Sequence, residues 1–130
     1  MKTITISTKH KTEVVNITRD VQEAVIQSGI ADVIVVVFTP HTTGSVFLFE
    51  KLDPNLGRDL LKKLHDLVPA DGSYAHVGSN ADGHIKSAFM GASVTLPVVE
   101  GKPLMGEWQG IYFGDFDGPR DRSVVIKVIG

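Results

Sequence analysis

Val33-Ile34-Val35-Val36-Val37-Phe38 is an unbroken apolar run in which every residue before Phe38 is β-branched. Such side chains lose rotamer freedom in a helix and pack well on a pleated surface. A short apolar run without polar alternation reads as a central strand covered on both faces. As a helix it would fall far short of the roughly 20 apolar residues that cross a bilayer. A chain built on such a strand needs layers around it, and 130 residues provide one domain of that kind.

The flanking sequence supplies the layers. Lys2 to Thr8 and Glu13 to Thr18 alternate like strands, and His10-Lys11-Thr12 between them reads as a hairpin turn. Thr18 opens a helix whose Val21, Ala24, Val25 and Ile26 recur at helical spacing, with Asp20 in its first turn and Gly29 as its stop. Gly44 to Glu50 forms the next strand, and Asp53-Pro54-Asn55 opens a second helix. Leu56, Leu60, Leu61, Leu64, Leu67 and Val68 give that helix an apolar face before Pro69. Residues 70–83 are rich in Gly, Ser, Asn and Asp, a long loop of the kind that is usually functional or mobile. A short helix from Asp82 to Met90 follows, then strands Ser93–Val99, Gly110–Phe116 and Ser123–Ile129, with Gly-Lys-Pro and Asp-Gly-Pro turns between them. With no linker or repeat, residues 1–130 are expected to form a single α+β domain.

Several function classes drop out. The net charge is −2 and Lys62-Lys63 is the only adjacent basic pair, so no stripe tracks a nucleic-acid backbone. The absence of cysteine removes thiolate catalysis and zinc ribbons, and leaves any metal to His, Asp, Glu or water. The N-terminus lacks the apolar region of a signal peptide, so a cytoplasmic protein without a membrane partner is expected. Neither a P-loop, a dinucleotide fingerprint nor a Gly-x-Ser-x-Gly turn occurs.

The remaining chemistry concentrates in three places. Of the five histidines, His10 and His65 read as solvated, while His41, His76 and His84 sit at a strand end or in the irregular loop. Three imidazoles with an open position would make a zinc-type site, and the alternative is three unrelated loop histidines. Thr42 and Thr43 place hydroxyls beside His41, and Glu50 closes the strand that follows. Asn80 to Lys86 leads into the short helix, where backbone N–H groups and Lys86 could take an anion, or Asp82 could serve as an ordinary cap. Trp108, the only tryptophan, fits either a core position or the wall of a pocket for a flat ring, with Gln109 beside it. Arg120 and Arg122 would share one face of a strand, which suits a diphosphate or surface ion pairs.

Taken together, His41-Thr42-Thr43-Gly44, Asp53-Pro54, His76, Asn80-Ala81-Asp82-Gly83-His84, Gly106-Glu107-Trp108-Gln109 and Phe116-Asp117-Gly118-Pro119-Arg120 resemble the YjbQ family over essentially the whole chain. The resemblance implies a compact mixed α+β sandwich with two to three helices, assembled as a homotrimer in the cytoplasm. It also implies a metal or anion near the clustered histidines. The activity it implies is that of a secondary thiamine-phosphate synthase, which joins a pyrimidine diphosphate to a thiazole phosphate and releases pyrophosphate.

On that basis His41, His76 and His84 are expected as metal ligands and catalytic groups, with Asp82 among the latter. Thr42, Thr43, Glu50, Asn80, Lys86, Trp108, Gln109, Arg120 and Arg122 would line the site for a small phosphorylated metabolite. Zinc is the first expectation for the ion, with magnesium an option for a diphosphate substrate. The chain departs from the family pattern at Phe49-Glu50-Lys51, where an Asn-Glu-Asn triplet is usual, at Gly83 in place of Ala and at Asp115 in place of Glu. Two alternatives share the same pocket. One is a metal-dependent hydrolase with Glu50 or Asp82 as general base, and the other is a trimer that only binds a metal or metabolite.

Overall fold

The strands resolve their alternation by forming two antiparallel sheets that share one core, in a computed structural model describing residues 1–130. In chain order the elements are β1 (Lys2–Ser7), β2 (Glu13–Asn16), α1 (Thr18–Ser28), β3 (Val33–Phe38), β4 (Gly44–Glu50), α2 (Pro54–Leu67), α3 (Ala81–Met90), β5 (Ser93–Val99), β6 (Lys102–Pro103), β7 (Gln109–Asp115) and β8 (Asp121–Ile129). The larger sheet is ordered β1-β8-β3-β5-β6 and the smaller β2-β7-β4. The core takes Ile6, Val35, Val37, Leu96, Val98, Val124 and Ile126 from the larger sheet. Val46, Ile111 and Phe113 join it from the smaller sheet, and Val21, Ala24 and Val25 from α1. The α+β class and the three helices agree with the sequence.

Two expectations fail. The β3 run is covered on one face only: Val35 and Val37 are fully buried, while Ile34 and Phe38 are 40% and 41% exposed. Antiparallel sheets commonly pack a single face on the core, and α1 lies on that same inner side, against Ile126. The apolar residues of the outer face therefore meet no layer of this chain. The β1–β2 hairpin also fails, because β1 pairs with β8 and β2 with β7. The intervening residues do turn, with the Glu13 carboxylate accepting the Lys9 and His10 N–H groups, but the turn carries the chain from one sheet to the other. Thr8 completes the crossing by bonding the Arg120 carbonyl through its N–H and donating its hydroxyl to Asp115.

Local signals explain most boundaries. Asp53 accepts the Asn55 N–H with Pro54 in the first helical position, and Gly29 closes α1 with φ of 67°. Thr18 is the first residue of α1, not its cap: Asn16 accepts its N–H and hydroxyl, and Thr18 Oγ1 accepts the Ile111 N–H. The Gly-Lys-Pro segment conceals the short strand β6. Glu100 and Gly101 both have positive φ, which is the hairpin turn that returns β5 onto β6. Phe113 is fully buried in the shared core, so Phe113→Ala should lower stability by about 3–5 kcal/mol in a denaturant titration.

Candidate functional site

The β7–β8 connection places the charged groups of the site. Asp115, at the end of β7, is wholly buried and accepts from Thr8 Oγ1 at 2.6 Å and from the Asp117 N–H at 3.0 Å. Arg122 grips the same carboxylate through Nη2 at 2.7 Å and Nε at 3.1 Å, and its Nη2 also donates to Thr43 Oγ1. Burial alone would raise the Asp115 pKa, but the hydrogen bonds from Arg122 and Thr8 outweigh it and hold the carboxyl below its ordinary range. His41 lies beside this clamp, with Nε2 accepting the Ser123 N–H at 2.9 Å. Burial and the Arg122 charge push its pKa below 6.5, so the ring is neutral with its proton on Nδ1.

Two residues further on, Asp117 forms a second hub. Its carboxylate takes Lys11, Arg120 Nη2 at 3.0 Å and Asn80 Nδ2 at 3.0 Å. Burial again raises its pKa, and the hydrogen bonds of Lys11 and Asn80 pull it below the usual value. Asn80 precedes α3, and its Oδ1 lies 3.2 Å from His76 Nε2. His84, in the first turns of α3, faces His76 edge-on with ring centroids 5.4 Å apart. The helix reaches this position because residue 83 is glycine: a Cβ there would lie 2.8 Å from the Phe116 carbonyl oxygen, closer than alanine allows. The two imidazoles open onto a cleft of about 390 Å³ walled by Tyr74, Ala75, Ala81 and Ile85. Tyr74 is fixed by a 2.6 Å hydrogen bond to the Pro69 carbonyl. A larger groove beside α1 and β8 has no histidine or carboxylate side chain in its lining.

Of the residues singled out in the sequence, His76 and His84 line this cleft, Asn80 bonds His76, and Arg120 joins through Asp117. His41 does not complete a metal site with them, and no three His, Asp or Glu side chains of the chain form a group able to hold an ion. The lone pair His41 would offer at Nε2 already accepts the Ser123 N–H, so a three-imidazole centre does not fit the chain as folded. Lys86 and Asp82 are buried against each other at 2.9 Å, so Lys86 does not face the solvent-accessible cleft and Asp82 does not cap α3. Glu50 accepts the Leu52 and Asp53 N–H groups at the entrance to α2 and borders a separate groove with Phe49 and Tyr112. Thr42 is exposed, and Thr43 is buried on Arg122. Trp108 is 58% exposed in the turn before β7, neither core nor cleft wall, and Gln109 accepts the Gly106 N–H in that turn. Arg120 and Arg122 do not act as a pair, because Arg122 is spent inside on Asp115 while Arg120 stays half-exposed on Asp117.

Sequence reasoning passed over Asp115, Asp117, Lys11 and Tyr74 as site residues. The available signal was the alternation Asp115-Phe116-Asp117 next to two arginines, where carboxylates flank a buried ring.

A two-sheet α+β domain with a histidine cleft beside the β7–β8 connection defines the class of this protein. The chain matches the family model of the UPF0047 protein YjbQ-like proteins over residues 2–130 and belongs to that family. A UPF0047 protein of Methanocaldococcus jannaschii is 41% identical over 125 residues, covering 96% of this chain and 91% of the relative. YugU of Bacillus subtilis, also a UPF0047 protein, is 36% identical over 131 residues, covering 100% and 99%. Among solved structures, a YjbQ/UPF0047 family protein of Clostridium acetobutylicum superposes with a TM-score of 0.97 at 42% identity, covering 99% of this chain and 100% of that one. A YbjQ-like protein from Sulfolobus solfataricus gives 0.96 at 32% identity, covering 99% and 95%.

The His41 shift fixes a pH dependence. Its folded pKa is depressed, so the neutral ring contributes stability above the unfolded value near 6.5, and that contribution is lost as pH falls through the folded value. Stability should therefore fall on acidification below about pH 6.5, and His41→Gln should flatten that slope in denaturant titrations at stepped pH. Arg122→Met strands the buried Asp115 charge and should cost about 3–5 kcal/mol at neutral pH, read by the same titration.

Proposed function

We propose that this protein is an enzyme whose substrate is a small phosphorylated metabolite bound in the His76–His84 cleft. The observation that carries the reading is two imidazoles in edge-on contact at an otherwise apolar cleft, with His76 linked through Asn80 and Asp117 to Lys11 and Arg120. Pockets of a few hundred Å³ with apolar walls and a few convergent polar groups are the usual form of small-molecule sites. Lys11 and Arg120 come from different connections and converge on one carboxylate, which leaves one positive charge in excess at about half exposure. These two cations, joined to the cleft through Asp117 and Asn80, suit a phosphate or diphosphate, since guanidinium and ammonium donors match its oxygens. The apolar walls suit the heterocycle that bears it.

The reaction we propose is the transfer the family resemblance suggests, with a pyrimidine diphosphate and a thiazole phosphate combining and pyrophosphate leaving. The chain's own residues meet its demands in a definite division of labour. Lys11 and Arg120 neutralise charge growing on the departing diphosphate. The thiazole nitrogen bonds to the pyrimidine methylene carbon as the carbon–oxygen bond to the diphosphate breaks. A cleft imidazole gives its proton to the departing pyrophosphate and regains one from solvent, and the apolar walls keep bulk water from the reacting carbon. We also propose self-association, for which the homotrimer is our reading. It is supported by the uncovered Ile34, Phe38, Val99 and Ile129 on the outer face of the larger sheet.

Purified protein incubated with the two substrates should form thiamine phosphate and pyrophosphate, and His84→Ala should slow that formation by about 10²–10⁴-fold. Unchanged turnover in a His76→Ala, His84→Ala double variant would overturn the assignment, and tight binding of the substrates without turnover would make the cleft a sequestering site. Light scattering should give three chains per particle, and Phe38→Glu should reduce that number.

A further inference from the structure

We propose that Asp117 is a positioning residue that acts through Asn80 to fix the proton of His76 on Nε2, so that Nδ1 is the nitrogen His76 offers to a ligand. The proposal rests on the reading of the cleft given above and names the atom that works there.

The argument runs from charge to proton. Asp117 is buried, and its two oxygens take Lys11, Arg120 and Asn80. Two cations on one buried carboxylate keep it ionised, and an ionised carboxylate only accepts. Asn80 must therefore present its amide nitrogen to Asp117, because the inverted amide would set its carbonyl oxygen against the carboxylate. With Nδ2 engaged at 3.0 Å, Oδ1 is the atom 3.2 Å from His76 Nε2. A carbonyl oxygen has no proton to give, so Nε2 must donate. A neutral imidazole carries one N–H, which leaves the lone pair on Nδ1.

Gly78 supports the same contact from the backbone side. A Cβ there would lie 3.4 Å from His76 Nε2 and 3.6 Å from Asn80 Oδ1, and Gly78 has φ of +138°, which L side chains rarely adopt. The chain thus passes directly against this hydrogen bond. His41 provides the contrast, since its Nε2 accepts the Ser123 N–H and its proton must sit on Nδ1. The two histidines are locked in opposite tautomers by partners that cannot exchange roles.

The test is imidazole ¹⁵N NMR of the ligand-free protein at a pH where His76 is neutral. The native protein should show one His76 tautomer, protonated on Nε2 and slow to exchange with water. Asp117→Ala should give a rapidly exchanging mixture of tautomers. Asn80→Ala, which leaves Asp117 with both cations, should do the same and guards against a folding failure of the first variant. In turnover assays Asn80→Ala should lower kcat with little change in KM, as expected for a group that orients another. A native His76 protonated on Nδ1, or a spectrum unchanged in both variants, would overturn the proposal. Because the tautomer is read without ligand, failure of the cleft to bind phosphorylated compounds would refute the functional reading alone.

Discussion

The Asp115 carboxylate holds the two sheets in their relation to each other at the end of the domain where the site lies. It sits at the end of β7 in the smaller sheet, and its partners are Thr8, directly after β1, and Arg122 in β8, both belonging to the larger sheet. Arg122 extends the link to Thr43, next to β4. A buried ion pair adds little net stability against an apolar substitute, because desolvation offsets the Coulomb attraction. Its value lies in exclusion, since any arrangement that separates Asp115 from Arg122 leaves a bare charge in the interior. The clamp therefore selects one relative placement of the sheets, and the β7–β8 connection inherits it.

That connection transmits the selection to the cleft. Phe116 is buried, and its carbonyl oxygen lies where a side chain at Gly83 would otherwise be, which sets the approach of α3. Asp117, next in the chain, reaches Asn80 at the start of the same helix. Behind the helix the seam with β4 is polar: Ser87 bonds the Gly44 carbonyl, Lys86 pairs with Asp82, and Ser45 Oγ and Asp82 Oδ1 have no partner. Each such group is harder to satisfy than an apolar one and tolerates fewer orientations. His84 thus stands on a helix held by Ser87 against β4 on one side and by Asn80 against Asp117 on the other.

How much of this the sequence carried depended on the range of the interaction. Local signals were legible: Asp53-Pro54 opened α2, Gly29 closed α1, alternation located β1 and β2, and an unbroken apolar run located β3. Pairing was not, because alternation says that Lys2–Ser7 has two faces without saying which strand lies beside it. The β3 run misled for a related reason, since β-branched residues report a pleated surface and not the presence of a second layer. Among the site residues His76, Asn80 and His84 were legible from their loop. Asp115 read as a strand residue and Arg122 as a diphosphate ligand or a surface ion pair, and only the crossing of the sheets buries them together. Glu50 and Lys86 had suitable chemistry, but nearby N–H groups and a carboxylate one helical turn away had already engaged them.

The histidines show how the same side chain takes different tasks in one small domain. His41 lies against the clamp, where burial and the Arg122 charge disfavour its cationic form and a backbone N–H occupies its lone pair. It can neither bind an ion at Nε2 nor exchange a proton there without giving up a structural contact. His76 is exposed at the cleft, its Nε2 engaged with Asn80 and its Nδ1 free. The difference arises from the hubs behind them: the Asp115–Arg122 pair turns its positive end toward His41, while Asp117 presents negative charge and orders an amide whose oxygen faces His76. Two aspartates two residues apart, one on each side of a buried phenylalanine, are enough to make one histidine structural and leave the other available for chemistry.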